Sequence, residues 1–235
     1  MKILLAPSKT MADAPADAKT EPDFPAKTNA LLNRLKKYSV KDLQSLFDVS
    51  EAIAQENYDR FQAFNPVHKA MDAYTGYMFK MMDKPSLSNE ALAYIERHLL
   101  IVSGLYGLVK MTDKIGHYRL PMGVKIDGQA LDQYWEDTLT EALKGEFVID
   151  LLSQEYRNAF HMNDLDSVTI DFVEIKEGKE KRPAMMLKKC RGLMVRACAQ
   201  EFVRDREDLK KLNIDGFLYN DEKSSDAYFV FERHA

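Results

Sequence analysis

The run Leu99-Leu100-Ile101-Val102 is four consecutive apolar residues closed by Ser103, and Gly104-Leu105-Tyr106-Gly107 follows at once. Four apolar neighbours carry no helical period. A strand turns successive side chains to opposite faces, so a strand here is apolar on both. Such a strand must be covered on both faces, which places it inside a sheet flanked by helices. The two glycines then mark the strand exit, where positive φ and close backbone approach cost little. A second reading stays open. If Glu90 to Val102 is one helix and Leu108 to Thr112 begins another, Gly104 and Gly107 form a helix-hairpin-helix turn that offers amides to a DNA phosphate.

Other short runs repeat the strand signal. Lys2 to Pro7 and Phe147 to Asp150 read as buried strands, and Val168 to Ile175 alternates like a half-buried one, with Pro183 to Leu187 as its partner. Phe217 to Tyr219 and Tyr228 to Phe231 read as closing strands. Met11 to Ala26 reads as a long irregular loop, and Met71 to Met82, around Gly76, as a strand pair or bent hairpin. Helical spacing organises Thr28 to Tyr38, the run with Leu43, Leu46 and Phe47, a third run capped at Ser50 and ended by Asn65-Pro66, Ser88 to His98, Leu131 to Leu143, a short turn from Ser153, and Arg191 to Arg204. There is no regular βαβ rhythm, repeat or linker. The expected fold is α+β: a single domain over 1–235 with a mixed central sheet flanked by helices.

At 235 residues and 46% hydrophobic content, the chain can bury a core of this kind. No apolar window reaches membrane-spanning length, and Ser8-Lys9-Thr10 interrupts the short apolar start. Cys190 and Cys198 fit neither a CxxC redox pair nor a paired zinc motif, so the expected setting is the cytoplasm, with no membrane. The net charge of −4 argues against a uniformly basic nucleic-acid coat. Any nucleic-acid site must be local.

Three segments carry that local charge. Ser8, Lys9 and Thr10 follow a strand and offer a cation and hydroxyls to an anion, although the glycines of a P-loop are missing. His117-Tyr118-Arg119 supplies a guanidinium that can fork onto phosphate and a ring that can stack on a base or sugar. The plainer role for Arg119 is a salt bridge to a carboxylate such as Asp137, which follows the aromatic pair Tyr134-Trp135. From Lys176 to Arg196 eight basic residues face two glutamates; the tip around Glu177 to Arg182 reads as solvated hairpin. Lys188, Lys189 and Arg191 are read at the point where a strand gives way to a helix, whose free amides would add to their charge. Cys190, beside these cations, is a candidate for thiolate character, whereas Cys198 lies on an apolar helix face.

Taken in order, Ala6-Pro7-Ser8-Lys9-Thr10, Ser103-Gly104-Leu105-Tyr106-Gly107, Tyr118-Arg119-Leu120 with Met122-Gly123, Tyr134-Trp135, Ser153 with Glu155-Tyr156, Lys189 with Arg191-Gly192-Leu193-Met194, and Phe231-Glu232-Arg233 resemble the YaaA peroxide stress response family. The resemblance covers nearly the whole chain. It implies a bacterial cytoplasmic protein that limits free intracellular iron and oxidative damage under hydrogen peroxide. It also implies a compact α+β fold whose basic cleft binds double-stranded DNA, aided by a helix-hairpin-helix element, and no established enzymatic activity.

The expectation is therefore that the glycines, Lys9, Arg119, Lys189 and Arg191 converge in space on one cleft for DNA. The rival is an enzyme acting on a phosphorylated or nucleotide substrate in the same cationic pocket, built from Ser8, Lys9, Tyr118, Arg119, Asp137 and Arg191. A deep pocket with a carboxylate beside the cations would favour it. No nucleophile and base pair is visible in the sequence. The histidines, His68, His98, His117, His161 and His234, are scattered without metal-ligand spacing, so direct iron sequestration ranks last and no metal or cofactor is assigned.

Overall fold

The computed structural model describes residues 1–14, 17, 18 and 20–234. Strand β1 (Lys2–Leu5) comes first, followed by helices α1 (Pro25–Leu35), α2 (Val40–Phe47) and α3 (Glu51–Gln62). A two-residue strand β2 (His68–Lys69), the short helices α4 (Ala70–Ala73) and α5 (Tyr77–Met82) and helix α6 (Asn89–His98) follow. Next come β3 (Leu99–Ser103), β4 (Gly107–Lys110), the two-residue strands β5 (Lys114–Ile115), β6 (Lys125–Ile126) and β7 (Gln129–Ala130), then α7 (Leu131–Ala142) and β8 (Phe147–Asp150). The chain closes with α8 (Gln154–Arg157), β9 (Asp166–Lys176), β10 (Lys179–Lys181), α9 (Ala184–Gln200), α10 (Arg206–Lys210), β11 (Asn213–Ile214), β12 (Phe217–Tyr219) and β13 (Tyr228–His234).

Nine of these strands form one mixed sheet, in the order β11-β12-β13-β9-β8-β1-β3-β4 with β10 added beside β9. The five central strands are parallel: β1 pairs β3 and β8, β8 pairs β9, and β9 pairs β13. Antiparallel hairpins finish both sides, β3–β4 at one and β12 with β11 at the other. Every residue of β3 is buried, as its unbroken apolar run requires. Leu4 of β1 sits in register with Leu100 on one side and Asp150 on the other, so β1 is a core strand with neighbours far away in sequence.

The glycine segment joins β3 to β4, with Ser103 opposite Gly107. No helix-hairpin-helix forms there; the apolar run follows the strand reading. Gly107 has φ +78, and a Cβ on it would meet the Trp135 ring at 2.7 Å; a Cβ on Gly104 would meet the Leu120 carbonyl oxygen at 2.4 Å. Both glycines are thus packing residues of the core. Trp135, fully buried, donates its Nε1–H to the Gly104 carbonyl at 2.9 Å. The helix pair joined by the short turn Asp48–Ser50 is α2 with α3, and α2 opens on a capping box between Ser39 and Asp42.

Two segments differ from their sequence reading. Met71 to Met82 forms α4 and α5 instead of strands, because Met78, Phe79 and Met82 share a buried helical face and Gly76 breaks the chain between the helices. Pro183 to Leu187 is not the partner of β9, a role taken by Lys179–Lys181; it is the N-cap and first turn of α9. A short apolar run carries too little period to separate strand from helix, and proline suits a helix start. Lys188, Lys189 and Arg191 therefore lie inside α9, not at its end. Gly192 of the same helix lets α5 approach: a Cβ there would stand 2.2 Å from the Met78 carbonyl oxygen.

Candidate phosphate-binding site

Counted along the chain, the five parallel strands lie in the order second, first, third, fourth, fifth, from β3 through β1, β8 and β9 to β13. The connection from β1 therefore goes to one side, and the chain later returns to the other side at β8. In open α/β sheets, ligands bind outside the carboxyl ends of the strands where connections part in this way. Here β1 runs out into Pro7-Ser8-Lys9-Thr10, and β8 into Leu151-Leu152-Ser153 and α8. A cavity of about 350 Å³ opens between these exits, bounded by α5 and α9.

Ser8, Lys9, Thr10, Lys188 and Arg191 all line this cavity. Ser8 is buried; its Oγ accepts the Thr10 amide at 3.1 Å and lies 3.1 Å from the Thr10 hydroxyl, which tightens the loop. Gly76 is needed beside it, since a Cβ there would meet Ser8 Oγ at 2.4 Å. Arg191 is half-buried and donates from Nη2 to the Leu152 carbonyl at 3.1 Å, tying α9 to the β8 exit. Burial pulls the Arg191 guanidinium below its ordinary range, while the Asp150 carboxylate holds it up. Asp150 itself is fully buried and satisfied by Arg157 Nε at 2.5 Å, Thr169 Oγ1 at 3.0 Å and the Leu152 amide at 2.8 Å.

Tyr118 and Arg119 line a small recess that shares Pro7, Ser8, Lys9, Pro121 and Tyr156 with the main cavity. Tyr118 is buried, with its hydroxyl 2.9 Å from Tyr74 Oη and 2.7 Å from Ser103 Oγ. Ser103 Oγ in turn accepts the amides of Leu105 and Tyr106. Burial pushes the Tyr118 phenol up to about 12, so the ring serves as a neutral strut that fixes the chain at Arg119. Arg119 has a buried Nε without a hydrogen-bond partner among the described residues. The carboxylate proposed for it, Asp137, lies instead 3.1 Å from His161 Nε2.

Ion pairing separates the cations sharply. Among the described residues, Lys9, Lys188, Arg119 and Arg191 form no salt bridge, whereas Lys189 bonds Asp215 at 2.5 Å in a network with Arg233 and Glu174. Arg119 and Arg191 are the arginines that are both partly buried and without a carboxylate partner among the described residues. Buried charge is normally paired. Lys189 points elsewhere, because neighbours on a helix are about 100° apart and only Lys188 and Arg191 share the cavity face. Gly104 and Gly107 lie outside the cavity lining as well.

Tyr77 and Met185 line the cavity without having given a chemical signal in the sequence, while Glu155, whose Oε1 accepts the Gly123 amide at 3.1 Å, and Tyr156 entered only through the resemblance. Histidines scattered in sequence do meet elsewhere. His68 and His117 stack with ring centroids 4.3 Å apart, and one donor atom from each and from Asp13 fall within 4.8 Å of one another. His68 Nδ1 already accepts the Ala14 amide at 3.0 Å, and His117 Nε2 faces the Ala12 carbonyl at 2.9 Å. Cys190, expected to have thiolate character, is fully buried, and desolvation pushes its thiol up to about 12.

A mixed sheet with a parallel centre and flanking helices defines an α/β protein, and at its switch point stand cations that form no salt bridge among the described residues. Comparison with known proteins makes the assignment particular. Residues 1–223 match the family described as peroxide stress protein YaaA. The UPF0246 protein of Francisella tularensis subsp. novicida is 34% identical over 254 aligned positions, covering 99% of this chain and all of that protein. That of Francisella philomiragia subsp. philomiragia is 33% identical over the same span. The chain belongs to the peroxide stress protein YaaA family.

Proposed function

We propose that this protein acts in the bacterial cytoplasm under peroxide stress by binding double-stranded DNA through phosphate contacts, and thereby helps limit free iron and oxidative damage. The observation that carries the DNA part is the set of unpaired cations, Lys9, Arg119, Lys188 and Arg191, gathered at one sheet edge of a chain whose net charge is −4. Phosphate contacts position a protein on DNA without reading sequence, so affinity should be similar for unrelated duplexes and fall with salt. The family assignment supports the stress role; the link to iron rests on that kinship alone.

The test is fluorescence anisotropy of labelled duplexes over a salt series, with wild type, Lys188→Glu and Arg191→Glu. Salt-sensitive binding of all duplexes, lost in both variants, is the expected result. Binding that survives both reversals would refute the site.

A second reading has a specific observation behind it. The cavity beyond the carboxyl ends of β1 and β8 is lined from the two strand exits, α5, α9 and Pro121, and Glu155 stands in its wall beside the cations. A carboxylate able to move a proton next to a phosphate subsite is the arrangement an enzyme on a phosphorylated or nucleotide substrate would use.

A further inference from the structure

Polarity in the cavity is graded along α9. On α9, Met185, Lys188 and Arg191 succeed one another at three-residue spacing and so share one face. Met185 is 58% exposed, while Arg191 is half-buried and anchored to the Leu152 carbonyl. On α5, Tyr77 is 37% exposed, while Met78 and Phe79 are buried. These two residues are among the few large apolar side chains exposed on the described surface, and they meet at one cavity. The depth sets Arg191 and Ser8, with Arg119's recess beside them, against the buried Met78 and Phe79; the mouth is aromatic and thioether.

We propose that this cavity takes a single nucleoside phosphate, with the phosphate on Arg191, Lys188 and Ser8 and the base against Tyr77 and Met185. The inference deepens the phosphate-binding reading above and rests on it. A backbone-tracking DNA site needs cations but no apolar mouth, and an inorganic anion site needs neither Tyr77 nor Met185. Stacking on an exposed ring suits any base, because every base has a π face. At about 350 Å³ the cavity is the size of a small-ligand pocket and admits one unit, not a length of strand. Two sources share that chemistry: a free mononucleotide, or one nucleotide turned out of a DNA duplex.

Isothermal titration of the full chain with adenosine 5′-monophosphate, adenosine and inorganic phosphate tests the free source. Anisotropy with a fully paired duplex and with the same duplex carrying one unpaired adenosine tests the embedded source. Stacking contributes on the order of ten-fold per base, so adenosine 5′-monophosphate should bind about ten-fold tighter than inorganic phosphate. If the source is DNA, the duplex with the unpaired nucleotide should be favoured over the paired one by a similar factor. Tyr77→Ala and Met185→Ala, both at exposed positions, should remove either preference. Monophosphate no tighter than inorganic phosphate, together with equal binding of the two duplexes, would overturn the proposal even if paired DNA binds with a steep salt dependence. A preference that persists in both alanine variants would overturn it too. Monophosphate binding without any duplex binding would sustain the pocket and defeat the DNA reading.

Discussion

Lys188 and Lys189 are adjacent, identical in type and separated by fate, and exchanging each in turn for glutamine isolates what ion pairing does to a DNA contact. Lys188 lines the cavity with no carboxylate partner among the described residues, whereas Lys189 is held by Asp215 at 2.5 Å. The logarithm of affinity falls with the logarithm of salt at roughly 0.9 per phosphate neutralised. If duplex binding brings Lys9, Arg119, Lys188 and Arg191 against the backbone so that together they neutralise about four phosphate charges, the slope is about −3.6, and affinity drops on the order of 150-fold between about 50 and about 200 mM salt. Lys188→Gln should bring the slope to about −2.7 and the drop to roughly 40-fold. Lys189→Gln removes a charge that Asp215 already neutralises and should leave the slope within experimental error of wild type. Anisotropy titrations at five salt concentrations on one duplex give all three slopes. Equal slopes for the two variants, or a larger change at Lys189, would refute the reasoning that pairing within the structure decides which cations reach DNA.

Gly192→Val places a branched side chain where even a Cβ meets the Met78 carbonyl oxygen at 2.2 Å, so α5 must move off α9; urea unfolding should give a loss of about 3 kcal/mol or more. Tyr118→Phe strips the hydroxyl shared by Tyr74 and Ser103 and should cost roughly 1–3 kcal/mol in the same assay, with the salt slope of DNA binding retained if the network is only a strut. Burial pushes the thiols of Cys190 and Cys198 up to about 12, so a thiol reagent at pH 8 should label neither until the protein is unfolded. Burial also lowers His68 and His98 from their ordinary value of 6.5. For a depressed group the stabilisation is present above the unfolded value and lost as pH falls, so His98→Gln should reduce the decline of the thermal midpoint on the acidic side of 6.5; His161, which Asp137 raises, contributes in the opposite sense.

The sequence by itself determined those elements in which one kind of residue pattern admits one local structure. Leu99 to Val102 has no helical period and became the buried strand β3; α3 and α6 start right after Ser50 and Ser88, the two serines read as caps, although only Ser88 accepts the capping amide on its side chain. The mixed sheet with flanking helices followed from such elements. It also marked Ser8-Lys9-Thr10, Tyr118-Arg119 and the basic run before Arg196 as places where charge concentrates. Tertiary structure decided the rest, because pairing partners lie far apart in the chain. That the five central strands run parallel, with β1 between β3 and β8, depends on contacts across about a hundred residues, which local periodicity does not encode. Asp215 claims Lys189 from a turn 26 residues away, and His161, not Arg119, takes Asp137. Short apolar runs such as Met71 to Met82 and Pro183 to Leu187 were settled only by the face they found to bury. A residue type states what chemistry is possible; packing decides which charges are spent inside the protein and which are left for a ligand.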